Sequence, residues 1–186
     1  MPRRISQPTE VHVSLSDEDL RVIAGDVLRS VRYLTLGTAS RGGQSWMTPL
    51  AHAWDFEDHF YWISAADARH SRNIEENPAV SVLAYDLGTT GTDQALFGSG
   101  TARPLTDDEV AEGCAVYYAR RYPDPEVRVK RERPADDFRG ASPNRLYRAR
   151  IDAYSLLHPD GHPVHGGLVS HRVTVPFSTA QLRRTD

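Results

Sequence analysis

The chain has 186 residues, 39% of them hydrophobic and 25% charged, with a formal net charge of -3. That profile fits a soluble globular protein with one ordinary core, and it lacks the basic field of a nucleic-acid binder. No apolar run reaches the length of a membrane span, residues 1–10 do not form a secretory signal, and the single cysteine, Cys114, permits no intramolecular disulfide. A cytoplasmic protein with no nucleic-acid or membrane partner is expected.

Residues 1–14 read as a flexible arm ahead of a single domain over 15–186. Ser16–Asp19 has the S-x-x-D form of a capping box, and Leu20, Ile23, Ala24, Val27, Leu28 and Val31 recur at helical spacing behind it. Gly25 interrupts that helix at a modest cost. Strands are expected at 33–38, 45–56 and 60–64, joined by the turn S-R-G-G at 40–43 and by Glu57-Asp58. Residues 68–77 read as a short helix stopped by Pro78. A strand at 80–85 and a loop at 88–91 precede a long strand at 94–105, where Gly98 and Gly100 suggest a bulge or a close approach.

A second capping box, T-x-x-E at Thr106–Glu109, opens a helix to about Arg121. Val110, Cys114 and Tyr117 or Tyr118 are expected to face inward. Residues 122–142 hold three prolines and many charges, the composition of a surface loop. A strand at 145–157, a loop at 158–167, a last strand at 168–175 and a tail complete the chain. The sum is a mainly β protein with peripheral helices: six or seven antiparallel strands and three helices. Short consecutive hairpins favour a closed or partly closed barrel over parallel winding.

Several kinds of chemistry lack their residues. There is no G-x-x-x-x-G-K-[ST] and no G-x-S-x-G; Gly98-Ser99-Gly100 has the wrong spacing for a nucleophile elbow. His158, His162, His165 and His171 fall in a turn-rich stretch at no helical spacing, so a polar loop is expected there and no metal site. His52 and His59 flank a hairpin, and one or both are expected to be surface residues. Cys114, among apolar neighbours, reads as a buried and inert thiol.

The segment S-A-A-D-A-R-H-S-R-N-I-E-E-N-P, residues 64–78, carries the strongest signal. A strand ends at Ser64 and a helix starts near Ala68, with Arg69 and Arg72 one turn apart. First-turn amides and the helix dipole favour an anion there, and arginine forks match phosphate oxygens. Ser64 and Ser71 can add hydroxyl donors. The same residues also suit a solvated basic helix end, and local physics alone does not choose between the two.

From Tyr33 to Leu105 the chain resembles the pyridoxamine 5'-phosphate oxidase-like superfamily of FMN-binding split β-barrels. The motifs that carry the resemblance are, in order, Y-L-T-L-G-T, W-M-T-P-L-A-H-A-W, F-Y-W-I-S, A-R-H-S-R-N-I-E-E-N-P-A-V-S-V-L and F-G-S-G-T-A-R-P-L. The resemblance implies an antiparallel split barrel and a homodimer with FMN at the subunit interface. It places the FMN phosphate at Ser64, Arg69, His70 and Ser71 or Arg72, next to Ile63. It lays the isoalloxazine along Thr48, Pro49, Leu50, Ala51 and Ala53, and turns Gln94 toward the flavin. Trp46 and Trp54 are candidates for lining the cleft.

Two departures qualify the resemblance. Many relatives carry Lys where His70 stands. The paired C-terminal arginines of the true oxidase are absent, since Arg172 and Arg183-Arg184 do not reproduce them. The implied activity is a flavin-dependent oxidoreductase acting on a small molecule, in which the flavin carries the chemistry and no side chain need be a catalytic acid or base. The alternatives within the family are a deazaflavin-dependent reductase or a haem-binding relative. A non-enzymatic flavin carrier or sensor is the alternative outside catalysis.

Overall fold

Among the described residues, eight strands build one antiparallel sheet: β1 (Tyr33–Ala39), β2 (Ser45–Ala51), β3 (Ala53–Trp54), β4 (His59–Ala65), β5 (Ala79–Asp86), β6 (Gln94–Pro104), β7 (Asn144–Leu157) and β8 (Arg172–Val175). The computed structural model describes residues 15–86 and 94–184. The expected arm at 1–14 and loop at 88–91 lie outside the described residues. The sheet order is β2-β1-β5-β6-β7-β4-β3, and β8 pairs with β7. β4 takes β7 from Asn144 to Arg150, and β8 takes it from Tyr154 to Leu157.

The expected strand at 45–56 is two strands. β2 pairs with β1, β3 pairs with β4, and the chain changes partner at His52. These two short strands are the opposite ends of the sheet order, yet only His52 separates them in sequence. The sheet therefore has to curl until its two ends meet, which makes the half-barrel and puts His52 at the closing corner. His52 is buried and stacks on Phe60, so it is not the surface residue its hairpin position suggests.

Four α-helices of the described residues pack around the sheet: α1 (Asp17–Ser30), α2 (Arg69–Glu76), α3 (Val110–Arg121) and α4 (Pro125–Arg131). The α1 capping box forms as the sequence specifies, with the Asp19 N–H on Ser16 Oγ at 3.2 Å and the Ser16 N–H on the Asp19 carboxylate at 2.8 Å. Leu20, Ala24, Val27 and Leu28 of α1 join the main core with Leu34, Leu36, Trp62 and Ile151. Val110, Cys114, Tyr117 and Tyr118 of α3 all turn inward and build a second cluster with Tyr61, Phe138 and Leu146. The expected surface loop at 122–142 contains α4 and the 3-10 turn Ala135–Phe138. Asp124 caps α4 through Glu126 N–H, and Pro125 occupies its first turn.

The strand expected at 168–175 shortens to β8, and the tail is structured through a 3-10 turn at Thr179–Arg184. Asp58, at the tip of the β3–β4 hairpin with φ 60°, holds that tail. Its carboxylate accepts Ser178 Oγ–H at 2.7 Å, Thr179 N–H at 2.8 Å and Tyr154 O–H at 3.0 Å. The latch seats Phe177 and Leu182 in the core, where Gly25 leaves room: a Cβ there would stand 2.8 Å from a Leu182 methyl. The strand glycine Gly100 marks a true register shift, and a Cβ on it would fall 1.9 Å from the Arg150 carbonyl oxygen.

Candidate functional site

β4 ends at Ala65, and the turn to α2 closes with Ala68 N–H on Ala65 O at 3.1 Å. The first bond of α2 runs from Arg72 N–H to Ala68 O. That leaves the N–H groups of Arg69, His70 and Ser71 without intrahelical acceptors. Ala68 offers no side-chain cap, and the first turn holds no acid. The start of α1 is the reverse, with Ser16 as cap and Asp17, Glu18 and Asp19 in its first turn. α2 thus leaves its positive end open and adds two arginines to it, with the exposed Asp67 as the acid just outside.

Both arginines are lightly held. Arg69, half-buried, donates Nη2 to Gln44 Oε1 at 2.5 Å and lies 5.5 Å from the Trp46 ring centroid. Arg72, exposed, donates to the Asp67 carbonyl. Neither partner is a carboxylate, so an incoming anion competes only with neutral acceptors.

His70 and Ser71 turn the other way. His70 is buried, with Nε2 2.8 Å from Ser64 Oγ and Nδ1 3.4 Å from Thr48 Oγ1. It ties β2 to β4, two strands that do not pair with each other. Burial lowers its pKa, which keeps the imidazole neutral at pH 7. Ser71 is fully buried and donates to Ala65 O at 2.7 Å. Asn73, a turn further, donates to Thr38 Oγ1 at 3.0 Å in the core. The inner face of α2 therefore anchors the helix, and its outer first turn faces outward.

The structure brings Thr48, Ser64, Arg69, His70, Ser71 and Arg72 together around this helix start, with Ile63 one residue up β4. Pro49 is exposed, Leu50 and Ala53 are buried and Ala51 is half-buried along β2 and β3. Gln94 stands apart. Thr48 is level with Leu36, Val82 and Gly98 across the sheet, so Gln94 is four residues, or about 13 Å, further along β6. It is buried, and its Oε1 has no partner. Trp46, on β2, borders the clamp, whereas Trp54, on β3, sits under Arg120.

A second polar group escaped sequence reasoning. Asp55 Oδ2 accepts Tyr61 O–H at 2.9 Å and lies 3.0 Å from His59 Nδ1. They edge a cleft of about 500 Å³ whose wall also holds Glu109, Arg120 and Arg148. Arg103 grips Glu109 with both Nη atoms, and with the Thr106 N–H this holds that carboxyl well below the usual carboxylate range; Arg148 Nη2 lies 3.2 Å away. The only sequence signal is the spacing of Asp55, His59 and Tyr61 about a hairpin turn, which becomes a contact once β3 pairs with β4. Among the described residues no group of His, Cys, Asp or Glu is arranged to hold a metal ion, and no helix is long and apolar enough to cross a membrane.

A curled antiparallel sheet with an open helix start beside its edge strand defines a split barrel. The family model for pyridoxamine 5'-phosphate oxidase matches residues 24–153. The chain belongs to that family. Among solved structures it is similar to a pyridoxamine 5'-phosphate oxidase-related, FMN-binding protein from Nostoc punctiforme, with 14% identity, coverage of 83% of this chain and 86% of that one, and a TM-score of 0.53. A haem-binding protein from Mycobacterium smegmatis gives 14% identity, 91% and 62% coverage and a TM-score of 0.61, so the chain spans about three-fifths of that protein. An F420 reductase gives 23% identity, 69% and 93% coverage and a TM-score of 0.50. At these identities the likeness is one of fold. Among curated proteins none matches.

Proposed function

We propose that the protein is an FMN-dependent oxidoreductase acting on a small molecule, with the cofactor held between two copies of the chain. The observation that carries this reading is the start of α2: uncapped, free of acid in its first turn, with two arginines whose partners among the described residues are neutral. A phosphomonoester supplies the charge and acceptor oxygens that such a helix start lacks.

Arg69 and the amides of the first turn would hold the phosphate, with Ser64 beside them and Arg72 one turn along. His70 acts through Ser64. With its hydrogen on Nε2, the neutral ring donates to Ser64 Oγ and accepts from Thr48, which frees the Ser64 hydroxyl hydrogen to point outward. Relatives with Lys at this place bring a charge to the phosphate; here the ring orients a hydroxyl instead. The isoalloxazine would lie along Thr48–Ala53, and FMN, when bound, supplies the electron transfer.

The second copy is supported by an uncovered apolar face. Met47, Pro49 and Ala51 share one side of β2 with Gly37, Thr35 and Tyr33 of β1. Met47 is 74% and Tyr33 62% exposed, on and beside an edge strand. A surface of that kind suits burial against a partner. Vitamin B6 oxidation is not part of the proposal: Arg172 lies over Phe97 and Arg183 over Phe56, and they do not form a pair.

The absorbance of freshly purified protein tests the proposal. Flavin bands that bleach on reduction with NADH or NADPH and return with oxygen support it. A Soret band overturns it, as does a colourless protein that takes up deazaflavin and refuses FMN. Bound flavin with no accessible redox partner leaves a carrier or sensor in place of an enzyme.

A further inference from the structure

The β3–β4 hairpin and the first half of α3 stand apart over the cleft of about 500 Å³. Sites for small molecules span roughly 300–1,000 Å³. The α3 side of the cleft is a stripe at helical spacing, Glu109, Glu112, Val116 and Ala119. Short side chains on that stripe leave the gap, and Leu105 joins them in an apolar wall. The cleft is not the clamp: His59 opens β4, and Ser64 lies five residues along that strand, about 17 Å away.

The hairpin supplies the polar wall, and its hydrogens can be assigned. Asp55 Oδ1 accepts the N–H groups of Glu57 at 2.7 Å and His59 at 3.1 Å, and Oδ2 accepts Tyr61 O–H at 2.9 Å. Burial alone would raise the Asp55 carboxyl, but the hydrogen bonds from the His59 ring, the two amides and Tyr61 outweigh it and lower the pKa. Asp55 is therefore a carboxylate at pH 7 and can only accept. Burial first, and the Asp55 charge second, raise the Tyr61 hydroxyl, which keeps its proton. His59 Nδ1, 3.0 Å from Asp55 Oδ2, then carries the hydrogen of the neutral ring. Its Nε2 is left with a bare lone pair and has no partner among the described residues. A hairpin lock needs the Asp55 contacts but gains nothing from an open Nε2 on a residue that lines a cleft. A carboxylate that fixes the tautomer and leaves the far nitrogen open makes an oriented acceptor.

The rest of the wall limits the guest. It holds four carboxylates and three arginines. An ammonium would crowd the arginines and an anion the carboxylates, so a neutral guest meets the least repulsion. Its polar end must donate, because Nε2 accepts. Arg183 lies 5.2 Å from the Phe56 ring centroid and has no carboxylate partner among the described residues, so its planar group can stack on a further ring. We propose that the cleft binds a small neutral phenol, with its O–H donated to His59 Nε2 and its ring against Leu105, Val116 and Ala119. The site uses none of the residues of the FMN reading, so each can fail without the other.

The test is a titration of the purified protein, with whatever cofactor it carries, by 4-fluorophenol followed by fluorine NMR. 4-Fluoroanisole is the companion probe, with the same ring and no O–H. The expected result is a saturable shift of 4-fluorophenol, with 4-fluoroanisole bound about fivefold more weakly, the effect of one neutral hydrogen bond. His59→Phe keeps a ring on the hairpin. It should bring the phenol down to the anisole affinity and leave the anisole as it was. Ala115 lines the cleft and is exposed, so Ala115→Trp fills the cleft from the surface. Both probes should lose binding there while the urea midpoint holds, and Arg69→Ala should change neither. Four results overturn the proposal: no saturable shift, equal affinity for the two probes in the unaltered chain, phenol binding unchanged in His59→Phe, or phenol binding kept in Ala115→Trp. Loss in Arg69→Ala together with the last result would place the phenol at the flavin.

Discussion

The molecule carries two arginine-bearing concavities that solve opposite problems. At the α2 start the arginines stand in or near solvent, and their partners are an amide oxygen and a carbonyl. Keeping them there costs little, and releasing them to a ligand costs little. At the β2–β3 corner Arg121 is buried between two helix ends, and its position is fixed by the core around it. The first arrangement is adaptable and its energy appears on binding. The second is fixed by the fold, and its energy is spent in folding. Changes at the clamp should therefore act on ligand affinity, while changes at the corner should act on folding.

Acid gives the largest expected contrast. His52 has a pKa near 6.5 unfolded and about 4 folded. Between those values the unfolded chain binds the extra proton, so stability is full above pH 6.5 and falls as pH drops toward 4. The shift corresponds to roughly 3 kcal/mol, an order-of-magnitude figure. His70 moves in the same direction through burial alone. Urea unfolding followed from pH 7 to pH 4 should show this loss, and His52→Leu should flatten most of it. A slope that survives in His52→Leu and disappears in Thr48→Val/His70→Leu would shift the acid-sensitive point from the corner to the clamp.

Binding comes next in size. Arg69→Ala should weaken FMN by about 1.5–3 kcal/mol, the range for hydrogen bonds to a charged group, and leave the urea midpoint unchanged. Equal FMN affinity in a folded variant removes Arg69 from the site. Thr48→Val is the smaller companion. It removes the 3.4 Å contact with His70 Nδ1 and should cost about 0.5–1 kcal/mol of stability. Any fall in FMN affinity beyond that would show that the His70–Ser64 orientation matters to the phosphate.

The sequence made the first of these regions legible and hid the second for a physical reason. Arg69, His70, Ser71 and Arg72 are consecutive on one helix, and helix geometry alone says what they can share. Even there, proximity in sequence did not reveal direction: Arg69 and Arg72 point out, whereas His70 and Ser71 point in, because β2 and β4 converge beneath the helix. Hairpins and capping boxes were readable because they are local. The break at His52 was not, because a strand that changes partners keeps an unbroken β pattern. Arg32 and Arg121 are 89 residues apart, and only the curl of the sheet brings their helix ends together. The Asp58 latch is hidden likewise, since its partners lie about 120 residues downstream.

The smallest expected effect sharpens the comparison by standing outside both regions. Cys114 lies in the cluster under α3, and burial pushes its thiol up to about 11. At pH 7.5 the thiolate is then on the order of one molecule in a few thousand, and that form is the nucleophile. Alkylation should be slow in the folded chain and rapid in urea. Cys114→Ala deletes one buried sulfur and should cost about 1 kcal/mol of stability. FMN affinity should stay as it is. If it moves, the clamp is coupled to the α3 core, which carries Cys114 inward and Arg121 at its end. If it does not, the clamp and the α3 core are independent parts of one curled sheet.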